Sequence, residues 1–130
     1  MKRTFHGSCH CGRVRLEADI DLADGSFKCN CTSCTKNRLW LAPVQPDGFR
    51  PISGENDLTE YKSTRTFQYF CRVCGVRLFG HAQDDASGIT NVSLGCLDDL
   101  DPAELAGVPV QYLDGRNDDW ASAPAEFRHL

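Results

Sequence analysis

The cysteines constrain this chain more than any other feature, because eight of its 130 residues are cysteine and seven stand in close-set groups. The groups are a C-x-C pair at Cys9 and Cys11, a C-x-C-x-x-C triplet at Cys29, Cys31 and Cys34, a C-x-x-C pair at Cys71 and Cys74, and the single Cys96. Two thiolates separated by one or two residues can bind one metal ion, whereas disulfide frameworks usually spread their cysteines along the chain. The spacing therefore predicts metal sites, with zinc as the preferred ion and iron as the alternative.

Composition and charge narrow the class of protein. With 41% hydrophobic and 25% charged residues the chain resembles one globular domain, so we expect a single zinc-binding domain over residues 1–130. The net charge of -4 and the lack of a basic stripe argue against nucleic acid as a partner. No apolar run approaches the ~20 residues of a membrane span, and the N-terminus has no apolar signal segment. We therefore expect no membrane association and a reducing, cytoplasmic environment.

Hydrophobic alternation predicts a mainly β fold. Val14, Leu16, Ala18 and Ile20 alternate with charged residues, which is the period-two pattern of a half-buried strand. Other short segments of strand-forming residues are separated by Gly, Pro, Asp and Asn, which favours a folded-over sheet or sandwich of short strands. The other predicted strands cover residues 39–44, 49–53, 58–62, 66–71, 76–80, 89–94 and 110–113.

Two helical segments are predicted, and both are short. One covers residues 32–38, and the other covers residues 102–106, with Asp101 as its N-cap and Gly107 at its end. The tail over residues 117–130 is rich in alanine, proline and charged residues. We expect this tail to wrap loosely over the body of the domain.

The C-x-x-C pair predicts half of a structural zinc site. Cys71 and Cys74 are followed at once by glycine, which is typical of a zinc knuckle whose backbone N–H groups point at the sulfurs. A redox dithiol is the alternative, but the pair neither starts a helix nor lies in a βαβ pattern. Cys9 and Cys11, bracketed by glycines, can supply the other two ligands. Zinc in such a site contributes folding free energy, on the order of 10 kcal/mol in small zinc peptides.

The triplet predicts a second site of a different kind. Cys29, Cys31 and Cys34 would leave the fourth position of a tetrahedral zinc open to water or substrate, as in catalytic sites. A thiol bound there would lose its proton at neutral pH and become a nucleophile. Two roles for Cys96 stay open, because it can close the site as a fourth ligand or be buried as a small hydrophobe.

These motifs together resemble a known family. GSCHCG with the strand after it, CNCTSCTK, FCRVCG and NVSLGCLDD are similar in order and spacing to the glutathione-dependent formaldehyde-activating enzymes, whose domain also occurs in centromere protein V. The resemblance runs from Phe5 to about Trp120 and implies a zinc-stabilised, mainly β Mss4-like fold of several short antiparallel sheets with short helices. It implies two zinc ions, a structural one on Cys9, Cys11, Cys71 and Cys74 and a catalytic one on Cys29, Cys31 and Cys34.

The resemblance also implies an activity, which is carbon–sulfur bond making and breaking. A lyase-type enzyme of this kind would act on a thiol–aldehyde adduct such as S-hydroxymethylglutathione, with glutathione or another small thiol as its partner. Lys36 and Arg38 could bind the carboxylates of glutathione, with a plain surface position as the alternative. Trp40 could line the substrate pocket, and packing in the core is the alternative.

One segment departs from the family pattern. Many relatives have a histidine just before the FC of the knuckle, where this chain has Gln68 and Tyr69, so its substrate or reaction can differ. The alternative function is a non-catalytic, zinc-stabilised protein-interaction module in which both ions are structural. The two functions differ at the fourth ligand of the second ion, and therefore at Cys96.

Overall fold

Ten short strands and two α-helices make up the structure, which is a computed structural model describing residues 1–130. The prediction of a mainly β fold is therefore confirmed. In chain order the elements are β1 (Arg3–Ser8), β2 (Arg15–Ile20), β3 (Ser26–Cys29), α1 (Thr32–Asn37), β4 (Leu41–Val44), β5 (Phe49–Ser53), β6 (Leu58–Lys62), β7 (Thr66–Cys71), β8 (Arg77–Ala82), β9 (Thr90–Ser93), α2 (Pro102–Ala106) and β10 (Val110–Leu113).

The strands form two sheets of unequal size. β1, β2 and β5 form a three-stranded sheet, and the other strands form a seven-stranded sheet in the order β10-β3-β4-β9-β8-β7-β6. Neighbouring strands are antiparallel except for β10, which runs parallel to β3. A parallel pair requires a long crossover connection, and here the chain from β3 to β10 passes through most of the larger sheet. Short antiparallel strands were expected, and the parallel edge pair is an addition to that expectation.

Burial explains which strands the sequence reveals. In β2 the side chains of Leu16, Ala18 and Ile20 are buried, as the alternation predicts. β1 was not predicted, because Phe5 is its one large buried residue and its other buried residue is Gly7. A Cβ on Gly7 would lie 3.0 Å from Leu16 Cδ1, so close packing on β2 excludes a larger apolar residue there. β3 was not predicted either, because its buried residues are Ser26 and Cys29, which do not alternate with polar residues.

Local capping fixes both helices. In α2 the side chain of Asp101 accepts a hydrogen bond of 2.7 Å from the N–H of Ala103, and Gly107 ends the helix, as predicted. α1 ends at Asn37, one residue earlier than predicted, because Arg38 has a left-handed φ of 54°. No helix in the structure combines the length and the apolar character that a membrane span requires.

The core draws on both sheets and on one of the cysteine groups. Phe5 and Leu16 of the smaller sheet pack in one cluster with Leu78 and Val92 of the larger sheet. Burial of such side chains contributes about 1.5–3 kcal/mol each. Three cysteines belong to the same cluster, namely Cys9, Cys71 and Cys96.

Candidate metal centres and the adjoining cavity

Two turns from distant parts of the chain bring four sulfurs together. Cys9 and Cys11 lie between β1 and β2, while Cys71 ends β7 and Cys74 lies in the turn before β8. The Sγ atoms of Cys9 and Cys11 are 3.6 Å apart, those of Cys11 and Cys71 are 3.7 Å apart, and all four lie within 4.8 Å of one another. A zinc tetrahedron with bonds of about 2.3 Å places its sulfurs about 3.8 Å apart. The four thiols therefore fit one zinc ion.

Backbone donors stabilise the thiolate form of the C-x-x-C pair. Hydrogen bonds from the N–H groups of Cys11 and Val76 lower the pKa of Cys74 to about 6. The N–H of Val73 lies 3.4 Å from Cys71 Sγ and contributes to lowering the pKa of that thiol. The glycine after the second cysteine has a φ of 78°, which favours glycine in the tight turn. These contacts match the expected form of a zinc knuckle.

The second group comes from one continuous segment. Cys29 ends β3, Cys31 is the N-cap of α1, and Cys34 lies in the first turn of that helix. The N–H of Cys34 donates to Cys31 Sγ at 3.4 Å, and the N–H of Cys31 donates to Cys29 Sγ at the same distance. The three sulfurs lie within 4.8 Å of one another, and no histidine, cysteine or carboxylate joins them. This group fits a zinc ion with one further position.

The three thiols of this second group shift one another's pKa. Hydrogen bonds from Cys29 and Cys34 lower the pKa of Cys31. Hydrogen bonding to Cys29 and Cys31, together with burial, raises the pKa of Cys34. The three thiols therefore titrate together as one group.

Asn30 orients the C-x-C segment of this group. Its Nδ2 donates to Asp114 Oδ1 at 2.8 Å, and its Oδ1 accepts from the N–H of Arg116 at 3.0 Å. Its backbone N–H donates to the carbonyl of Leu113, and its carbonyl accepts from Arg116 Nε at 3.1 Å. Asn30 is buried, with 8% of its surface exposed. The residue between two of the sulfurs is therefore fixed to the segment that follows β10.

Cys96 lies outside both groups. Its Sγ donates to the carbonyl of Arg77 at 3.3 Å, and burial raises the pKa of its thiol. The charges that act on it come from Asp98 and from Cys9 and Cys74 of the first group. Of the two roles left open by the sequence, the position agrees with burial as a small hydrophobe rather than closure of the second group.

A cavity of about 470 Å³ adjoins the second group. All three sulfur-bearing residues line it, together with the first turn of α1, parts of β6, β7 and β8, and the segment after β10. Its basic lining residues are Arg65, Arg77, Arg116 and His81, and no aspartate or glutamate lines it. A cavity of this size accommodates a small organic ligand.

Two of the arginines that line the cavity are hydrogen-bonded to other residues of the protein, whereas two nitrogens of Arg77 have no hydrogen-bond partner. Arg65 Nη1 pairs with Asp118 Oδ1 at 2.9 Å, and Arg116 Nε donates to the Asn30 carbonyl. The Nε and Nη1 atoms of Arg77 are buried without a hydrogen-bond acceptor. Burial lowers the pKa of this guanidinium, and the nearby Cys34 opposes that shift. A buried polar group without a partner is costly and calls for an explanation.

The side chains of Gln68 and Tyr69, the two residues before the FC of the knuckle, lie in different surroundings. Gln68 lines the cavity, and its Nε2 donates to Ser33 Oγ at 3.0 Å and to Thr66 Oγ1 at 2.9 Å. Tyr69 does not line the cavity, and its hydroxyl donates to Glu60 Oε2 at 2.8 Å. The cavity thus has an amide and a hydroxyl next to the second cysteine group.

The structure places Lys36, Arg38 and Trp40 outside the cavity lining. Lys36 is exposed on α1, and Arg38 Nη1 donates to the carbonyl of His129 at 2.7 Å. Trp40 Nε1 donates to Ser26 Oγ at 2.7 Å, and its ring packs on the core, which matches the alternative role given above. The reason is the short helix, which turns the residues after the triplet away from the three sulfurs.

Other cavity residues gave weak signals or none in the sequence. Asn30 stands between two cysteines, and Arg77 follows the knuckle closely, so both could have been suspected from position alone. Gly115 and Trp120 lie far from any motif. Yet a Cβ on Gly115 would lie 2.5 Å from Cys29 Sγ and 2.7 Å from Trp120 Cη2. The backbone after β10 therefore packs directly against the second group.

The fold and the site define a class of protein. It is a mainly β protein with two groups of cysteines that each fit a zinc ion, and one of these groups lies beside a cavity. Residues 4–113 match the family described as glutathione-dependent formaldehyde-activating enzyme, and the chain belongs to that family. It is also similar to a protein of Rhodobacter sphaeroides whose crystal structure carries no functional description, with 25% identity and a TM-score of 0.70 over 82% of this chain and 99% of that one. The family resemblance and the Mss4-like fold are thereby confirmed.

Proposed function

We propose that this protein is a zinc-dependent carbon–sulfur lyase-type enzyme acting on the adduct of a small thiol and an aldehyde, of which S-hydroxymethylglutathione is the family example. The observation that carries the proposal is the cavity beside the three-cysteine group, which gives a substrate access to the sulfurs. Membership of the family supports glutathione-dependent formaldehyde activation as the general activity. All eight cysteines are free, which supports a reducing, cytoplasmic setting.

The proposal includes two zinc ions in one domain of residues 1–130. The structural ion would be held by Cys9, Cys11, Cys71 and Cys74, and the catalytic ion by Cys29, Cys31 and Cys34. Zinc held by these three thiolates would supply a Lewis acid that favours the thiolate form of a small thiol near neutral pH.

The chain's own residues would bind and orient the reacting groups. In the synthetic direction the thiol sulfur bonds to the aldehyde carbon, the C=O π electron pair moves to oxygen, and the thiol's proton ends on that oxygen. The reverse reaction breaks the same carbon–sulfur bond. Ser33 precedes Cys34 and is hydrogen-bonded to Gln68, so we assign these two side chains to hold the aldehyde or hydroxyl oxygen.

Lys36 and Arg38 stay candidates for a more distant role. Any part of a thiol ligand that lies outside the cavity could contact the exposed cations on and after α1. Trp40 would act through packing, since its ring lies on the core.

The position of Cys96 supports the enzyme over the non-catalytic module. A module with two structural ions would need a fourth protein ligand on the second ion. Cys96 is hydrogen-bonded to the Arg77 carbonyl and is not among the residues of the second group.

Exchange NMR with ¹³C-formaldehyde and glutathione tests the proposal. Zinc-loaded protein should speed interconversion of free formaldehyde and S-hydroxymethylglutathione in proportion to its concentration. Cys31→Ser should lose this acceleration, while Cys96→Ser should keep it. A wild-type protein that adds nothing to the uncatalysed rate would contradict the proposal.

A further inference from the structure

We infer that the cavity selects thiols that carry a carboxylate and no free ammonium group, with Arg77 as the buried carboxylate anchor. The inference rests on the proposed function for the position of the reacting sulfur, and it names the substrate class of that site. Under this inference glutathione, which carries an ammonium group, is not the best ligand of this chain.

The charge of the cavity wall differs from that of the whole protein. The chain has 18 acidic residues and a net charge of -4, yet none of its aspartates or glutamates lines the cavity. Arg65, Arg77 and Arg116 all line it. Asp118, which pairs with Arg65, lies outside the lining. A small space with three guanidinium groups favours anions over cations.

Arg77 is the arginine best prepared for an anion. Its guanidinium carbon lies 6.0 Å from the ring centroids of both Tyr61 and Phe70, so aromatic side chains flank it. Its Nε and Nη1 atoms are buried and have no acceptor, while Arg65 and Arg116 already have partners. A carboxylate in the cavity would give this guanidinium, which lines the cavity, an acceptor of opposite charge.

The position of Arg77 places such an anchor near the reacting end of a ligand. Arg77 begins β8, and it lines the same cavity as Cys34 of the second group. A small thiol can therefore reach the three sulfurs with its own sulfur and the guanidinium with its carboxylate. A carboxylate close to the sulfur is the feature that this arrangement would recognise.

An ammonium group finds no carboxylate in the same space. Apart from His81 and the three cysteines that are assigned to the metal, the remaining polar lining consists of uncharged side chains, which include Ser63, Thr64, Gln68 and Asn91. A cationic ligand would lose hydration beside three guanidinium groups, and like charges at short range in a confined site repel. The cavity therefore discriminates against amino thiols as well as selecting for acidic ones.

Fluorescence titration with three thiols of similar size tests this selection. The ligands are 3-mercaptopropionate, 2-mercaptoethanol and cysteamine, which end in a carboxylate, a hydroxyl and an ammonium group. Trp120 lines the cavity and Trp40 does not, so Trp40→Phe in the zinc-loaded protein makes Trp120 the sole tryptophan reporter. We expect 3-mercaptopropionate to bind about tenfold or more tightly than 2-mercaptoethanol, and cysteamine to bind most weakly. Glutathione should bind less tightly than 3-mercaptopropionate.

Arg77→Met should remove the preference for the carboxylate and leave 2-mercaptoethanol binding within about twofold of wild type. Arg72→Met is the matched control, because Arg72 is an exposed arginine that pairs with Asp57 and does not line the cavity. This control should keep the full preference. Zinc content is measured for each variant, since loss of zinc would change the affinity of all three thiols together.

The outcomes separate this inference from the proposed function. Equal affinities for the three thiols, or a preference that survives in Arg77→Met, would overturn the inference while leaving a thiol site. If Arg77→Met lowers zinc content and all three affinities alike, the guanidinium serves the cysteine group as a counter-ion and the inference is wrong. If no thiol alters Trp120 emission in the zinc-loaded protein, both the inference and the proposed function are contradicted.

Discussion

The two cysteine groups use the same ligand atom in opposite ways. The first joins two turns that are about 60 residues apart, and Cys9 and Cys71 belong to the hydrophobic core. The second comes from six consecutive residues and lies on the wall of a cavity. A metal in the first group closes a long loop of the chain, whereas a metal in the second group is not needed to connect distant elements. Ligand origin in the chain, as much as ligand number, therefore separates the site that we propose to be stabilising from the site that we propose to be reactive.

The largest expected effect comes from removing one sulfur of each group. Cys71→Ser should lose one zinc ion and unfold or aggregate, because metal binding at such sites supplies on the order of 10 kcal/mol. Cys31→Ser should also lose one zinc ion but keep a cooperative thermal transition with a Tm within about 10 °C of wild type. Metal analysis and calorimetry of the two proteins check this. Equal loss of stability in both variants would contradict the proposal that only the first group stabilises the fold.

A smaller effect should follow from Asn30→Ala. Hydrogen-bond partners that orient metal ligands typically contribute about 10–100-fold in metal affinity. Truncation of Asn30 should therefore lower the zinc affinity of the second group by about that factor and leave the zinc affinity of the first group unchanged. Competition with a chromophoric zinc chelator measures both sites. Asn37→Ala is the control, because Asn37 is exposed and donates to the Ser33 carbonyl on the far side of the helix turn. A similar loss in the control would show that any change in this segment weakens the site.

Acidification should release the two metals in a fixed order. In each group the pKa of at least one thiol is raised, that of Cys11 in the first and that of Cys34 in the second, so these shifts do not set the order. The first group offers four sulfurs to one ion and the second group offers three, so the ion of the first group is held by more thiolates. The second group should thus release zinc at higher pH than the first. Zinc release followed from pH 8 to pH 4 in wild type and Cys31→Ser identifies the order, and release of the first group's ion at the higher pH would contradict it.

The smallest effects are expected from Lys36→Ala and Arg38→Ala. Both side chains are exposed and lie outside the cavity, and surface changes usually alter free energies by less than about 0.5 kcal/mol. Turnover of a small thiol–aldehyde adduct should therefore change by less than about twofold. Turnover with glutathione, which is longer, is measured in parallel. A loss confined to glutathione would support their contact with its outer carboxylates, and an equal loss with both thiols would show that they act on the site itself.

The sequence reveals those parts of the structure that depend on local spacing. The cysteine pairs and the triplet are short motifs, so their grouping follows from reach along the chain, and the caps of α2 are equally local. β1 was not foreseen, since a buried glycine leaves no apolar signal where β2 packs closely against it. The cavity wall was not foreseen either. Its arginines and Trp120 come from strands and a terminal segment that only the folded sheet brings together.

Nearness in sequence to the triplet does not by itself bring a residue to the cavity. Lys36 and Arg38 follow the triplet directly, but one turn of helix and a left-handed residue carry them away from it. Arg77, by contrast, is 43 positions from Cys34 in the sequence yet lines the same cavity. The register between β7 and β8, including its irregularity near Tyr69, sets this approach, and such a shift is not visible in the residue pattern.

Thiol titration of the cobalt-substituted protein tests the difference between the groups most directly. We predict that two cobalt ions bind to wild type and to Cys96→Ser alike, and that 3-mercaptopropionate changes the absorption bands of one ion only. That change should be absent in Cys31→Ser, which keeps the ion of the first group. A spectrum unmoved by thiol, together with loss of one cobalt ion in Cys96→Ser, would contradict the account and show that both sites are closed and structural.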